Sequence, residues 1–149
     1  MNHKYSLAVL FIITAVAGVL LLSGSKILVF PLLTQPYIPA GTFITWTGLI
    51  TWAFCFRLIL LSLYSDKDRH RQISTLSLFF ILPAIWWGLI SYGLAGNWEF
   101  NFSSMSEGFQ GSPKASQLFW YYSWITPLVP VVLLFVIVVG RQIAKCLNF

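Results

Sequence analysis

The fold turns on residues 43–95, which read FITWTGLITWAFCFRLILLSLY, then SDKDRHRQ, then ISTLSLFFILPAIWWGLISYGLA. The outer two pieces, 43–64 and 73–95, are each long and apolar enough to cross a bilayer, for which about 20 residues suffice. The middle piece, 65–72, carries Asp66 and Asp68 together with Lys67, Arg69 and Arg71. A short charged turn between two apolar spans predicts an antiparallel helical pair with its turn in water.

Two further apolar segments flank this pair, at 5–22 and at 118–140, the latter ending in VVLLFVIVVG. The expected fold class is therefore all-α: one integral membrane domain, residues 1–149, forming a four-helix transmembrane bundle. Composition agrees, since 58% of residues are hydrophobic, 9% are charged and the mean hydropathy is +0.79. A soluble domain has about 25% charged residues. The first segment has a rival reading as a signal peptide, because Lys4 precedes it and Ser23-Gly24-Ser25 follows it. Its apolar run exceeds the usual ~7–15 residues and ends without an A-x-A site, so it is read as a retained helix.

The connections differ in character. Residues 23–42 contain Pro31, Pro36 and Pro39, so no continuous helix crosses them. Within them Lys26–Phe30 suits a short strand. In the third connection, 96–117, Trp98–Phe102 alternates aromatic and polar residues, a strand pattern. Pairing of these two stretches would make a short β-hairpin-like element in the extracytoplasmic loops.

Charge placement sets the expected orientation. An even number of spans puts both termini and the 65–72 turn on one side, with Lys4, Lys67, Arg69, Arg71, Arg141 and Lys145. The other side has Lys26 and Lys114. Lys and Arg gather on the cytoplasmic side of membrane proteins. Both termini are thus expected in the cytoplasm, in a bacterial inner membrane. The net charge of +5 reads as an orientation signal beside anionic lipid, and nucleic acid is not an expected partner. Glu99 and Glu107 fall outside.

Tryptophans cluster toward the outer side: Trp46, Trp52, Trp98, Trp120 and Trp124, with Tyr121 and Tyr122 beside the last two. Such a skew marks either interfacial anchoring or a contact surface, and Trp98, Trp120 and Tyr121 are the candidate outer-face contacts. Prolines 83, 127 and 130 lie inside spans, and kinks near Trp86, Trp87 and Trp124 would open an outward-facing crevice lined by aromatics.

Few side chains offer chemistry. Arg57 alone is ionisable within a span; it either snorkels to the cytoplasmic interface or bonds inward to hydroxyls such as Ser74, Thr75 or Ser77. Thr47, Thr51 and Cys55 form a small-residue stripe, and Thr14/Gly18 and Ala84/Gly88 repeat the spacing, which favours close helix packing. Cys55 falls within the membrane and Cys146 in the cytoplasm, which makes a structural disulfide between them unexpected. Neither His3 nor His70 has a metal-ligand spacing. Asn101-Phe102-Ser103 matches a glycosylation acceptor, relevant only in a eukaryotic secretory setting. No catalytic set, cofactor motif or metal site is legible.

These features point to a non-enzymatic protein that binds the bilayer and another membrane protein, a peptide or a second copy of itself, as an accessory subunit or an immunity-type protein does. The alternatives are a small transporter or channel component using Arg57 and the Thr47/Thr51 stripe, and a lipid-acting enzyme. The topology is directly testable: a reporter active only outside should be active when fused after Ser104 and silent after Phe149. Activity at Phe149 would overturn the even-span arrangement.

Overall fold

The computed structural model describes residues 3–64, 67–100, 102 and 108–147; Asp66, Asn101, Ser103, Ser104 and Glu107 lie outside the described residues. It is mostly helical. The helices are α1 (His3–Leu22), α2 (Ala40–Ser62), α3 (Lys67–Ala95) and α4 (Pro113–Leu147). All four are long and apolar enough to cross a membrane. They overrun the sequence-based bounds where polar residues continue a helix. The basic residues of the 65–72 turn thus begin α3, and α4 reaches 35 residues. At ~1.5 Å per residue α4 measures about 52 Å, well beyond a ~30 Å hydrocarbon core.

The expected strand pairing between the two loops does not form. Lys26–Val29 is a 3-10 turn, capped by the Ser25 hydroxyl, which accepts from the Ile27 N–H at 3.3 Å. The hairpin lies within the first loop, where β1 (Pro31–Thr34) pairs antiparallel with β2 (Tyr37–Pro39). The prolines explain this. They end helix and, at the rim of a two-stranded ribbon, demand no ladder hydrogen bond they cannot donate. Among the described residues of this stretch, Trp98–Phe100 and Phe102 are not strand, and Asn97 supplies the reason. Its side-chain oxygen accepts from the backbone N–H of Glu99 (2.9 Å) and of Phe100 (3.1 Å), and Phe100 sits at φ 50°. Local side-chain bonding of this kind competes with extended structure.

The helices pack in sequence, α1 on α2, α2 on α3, α3 on α4, with a further α2–α4 contact. Two buried clusters result. Phe56, Leu60, Phe80 and Ile81 fill the end nearer the α2–α3 turn. Trp87, Ala95, Phe100 and Phe119 fill the end nearer the hairpin, with Trp87 and Phe100 edge-to-face at 5.4 Å. Large apolar side chains cover the exterior as well.

Hydrogen bonds from side chains join the helices. Trp46 Nε1 donates to the Ile85 carbonyl (2.9 Å), Trp52 Nε1 to Pro127 (2.9 Å) and the Tyr122 hydroxyl to Pro83 (2.6 Å). At the opposite end Arg141 donates to the Leu63 carbonyl (2.7 Å), just past the C-terminus of α2, and lies over the Tyr64 ring. Gly88 is what admits Trp46, since a Cβ there would stand 2.5 Å from the indole. Gly88→Val should therefore lower stability by about 1–3 kcal/mol through overpacking. Gly93→Val, on the same helix with open space beside it, should change little. Unfolding in detergent followed by circular dichroism compares the two; equal stabilities would refute the contact.

Candidate functional site

A cavity of about 500 Å³ separates α1 from α4 at the hairpin end of the bundle. Its α1 wall is Thr14, Ala17, Gly18, Leu21 and Leu22; its α4 wall is Phe119, Trp120, Ser123, Trp124 and Pro127. The floor comes from Thr45, Gly48, Leu49 and Trp52 of α2 with Trp87 of α3, and Phe102 reaches in from the last loop.

Local contacts hold these walls apart. On one side α1 is pinned to α2: the Thr14 and Thr51 hydroxyls meet at 2.8 Å, and Gly48 lets Ala17 approach, since a Cβ on Gly48 would lie 3.0 Å from that of Ala17. On the other side α4 is pinned by Trp52 to Pro127 and by Trp87, whose Nε1 donates to the Ser123 hydroxyl at 3.0 Å. The loop is held by Thr42, which donates to the Trp98 carbonyl at 2.6 Å, and by Gly41, where a Cβ would strike the Phe102 ring. A cavity of this size and lining lies in the ~300–1,000 Å³ range of small-molecule sites.

Of the three tryptophans expected around an aromatic crevice, Trp87 and Trp124 line this cavity, together with Trp120. Trp86 is not in it; it is 53% exposed on the outer surface of α3. Tyr121 likewise points outward, and Trp98 stacks on Tyr92 with centroids 4.6 Å apart. The tryptophans of the helices thus divide by role. Trp46, Trp52 and Trp87 act as internal struts, while Trp86, Trp120 and Trp124 expose large areas.

The threonine stripe divides too. Thr51 and Cys55 are buried, whereas Thr47 is exposed. The Thr51 hydroxyl is engaged by Thr14 and by the carbonyls of Thr47 and Gly48. Arg57 is half-buried and makes no hydrogen bond to the described residues. Thr75 and Ser77, offered as its inward partners, donate instead to the Arg71 and Ser74 carbonyls of their own helix. Among the described residues no three His, Cys, Asp or Glu side chains come together.

Sequence reasoning missed Gly18, Phe119 and Ser123 as wall residues. Phe119, Ser123 and Pro127 recur at helical spacing beside Trp120 and Trp124, so one face of α4 was readable. That the face borders a void was not. Compared with known protein families, curated proteins and solved structures, the chain shows no match.

The Trp87–Ser123 bond can be tested alone. Trp87 is 1% exposed, so Ser123→Ala leaves its N–H without a partner. The expected loss is about 1–3 kcal/mol, read from unfolding in detergent. A loss no larger than that of Ser62→Ala, which removes an exposed hydroxyl bonded only within its own helix, would refute it.

Proposed function

We propose that this chain is a non-enzymatic, multi-pass membrane protein that works by binding an apolar, membrane-resident partner laterally, in the cavity between α1 and α4. The observation that carries this reading is the cavity itself: apolar, about 500 Å³, and walled by two helices that are anchored elsewhere. An accessory subunit or an immunity-type protein is one form such a binder takes, with another membrane protein, a peptide or a second copy of itself meeting the exposed aromatic face of α4 beside the cavity, at Trp120, Tyr121 and Trp124. The charge asymmetry supports cytoplasmic termini, in the bacterial inner membrane of this reading, and with that orientation the cavity would lie in the outer half of the bilayer.

The transport alternative draws less support. The Thr51 hydroxyl is engaged by Thr14 and by carbonyls of its own helix, where it joins α1 to α2, and Thr47 is on the exterior.

Photo-crosslinking tests the binding reading. A benzophenone side chain in place of Trp124, on the cavity wall, should yield discrete adducts in growing cells. The same group in place of Val132, exposed on α4 away from the cavity, should yield only diffuse labelling. Indistinguishable patterns at the two positions would sink the proposal.

A further inference from the structure

The length of the cavity discriminates between occupants. Its walls run from Thr14 to Leu22 on α1 and from Phe119 to Pro127 on α4. At ~1.5 Å per residue each wall is about 12 Å long, and half of a ~30 Å hydrocarbon core is about 15 Å. The cavity is therefore one leaflet deep. A spanning helix of another protein would need a track through the whole core and about 800 Å² of its own surface buried; a site that stops at Thr14 and Pro127 supplies neither.

The wall hydroxyls have partners already. Thr14 bonds Thr51, Thr45 donates to the Gly41 carbonyl, and Ser123 accepts from Trp87. The wall donors left over are the indole N–H groups of Trp120 and Trp124 and the Ser123 O–H, so most backbone groups of an inserted peptide would go unpaired, at a cost of several kcal/mol for each in an apolar setting. A hydrocarbon chain has no such groups.

From this geometry we infer that the cavity binds a single acyl chain of a phospholipid from the leaflet on the hairpin side. The inference rests on the binding reading above and narrows its occupant. Gly18 has a part in it beyond helix packing. It lies on the wall, and a Cβ there would meet nothing within 4 Å. The residue leaves free the volume that a larger side chain would fill. Gly18→Leu thus blocks the site without a clash, and exchanges a poor helix former for a good one. Gly93→Leu, also facing open space but away from the cavity, is the control.

The full chain is reconstituted in phosphatidylethanolamine–phosphatidylglycerol vesicles containing a trace of phospholipid with a diazirine midway along one acyl chain. After irradiation, adducts are mapped by mass spectrometry. Labelling should concentrate on residues 14–22 and 119–127, fall about tenfold in Gly18→Leu, a loss of about 1.4 kcal/mol in binding, and persist in Gly93→Leu. Even labelling over all four helices, or unchanged labelling in Gly18→Leu, overturns the inference. Native mass spectrometry of the unmodified chain needs no variant. It should retain one phospholipid after the remainder is stripped, and a bare chain overturns the inference. Discrete protein adducts at position 124 without acyl labelling in the cavity would overturn the acyl occupant and leave the binding reading standing. Absence of both would overturn both.

Discussion

Indole and phenol groups donating to backbone carbonyls of neighbouring helices are the interactions on which this bundle depends. Its exterior is as apolar as its interior, so burial of apolar surface does little to choose one helix arrangement over another. Directional contacts must do so. Trp46 joins α2 to α3, Trp52 joins α2 to α4, and Trp87 and Tyr122 join α3 to α4. Each acceptor is a carbonyl with a second lone pair or a hydroxyl, so none of these bonds requires a helix to give up its own ladder. Close approach at Gly88 makes one of them geometrically available.

The cavity follows from where these bonds are not. α1 has no aromatic strut; it is held on α2 by a threonine pair and by the Ala17–Gly48 contact. Those small residues bring α1 close to α2 without drawing it toward α4. Meanwhile Trp52 and Trp87 fix α4 against the opposite flank. The space between is closed toward the hairpin end by Phe102, which the bare Gly41 admits. A site formed in this way takes much of its wall from residues that also hold the helices, and its lining is almost wholly apolar.

Much of this was readable from the chain. Four apolar runs separated by proline-rich or charged connections specify four helices, because each run is long enough to need no other element and each connection contains a residue that breaks or solvates the helix. Internal prolines beside tryptophans pointed toward an aromatic crevice. Trp98–Phe102 has the alternation of a strand and still does not pair with the first loop, because the Asn97 side chain bonds the N–H groups of Glu99 and Phe100. The shared spacing of Thr14 and Gly18 suggested one packing face, but only Thr14 packs.

By itself the sequence determined the number of helices, their approximate ends, and a charge asymmetry of six basic residues toward the termini and the 65–72 segment against two, Lys26 and Lys114, toward the other loops. These are properties of single segments, set by length, hydropathy and breaker residues. Only the tertiary structure decided which tryptophans face inward, which glycine receives an indole and which borders a void, and that α1 stands off α4. Such outcomes depend on the relative rotation and separation of helices, and in a chain that is apolar on every face, hydropathy periodicity carries no record of either.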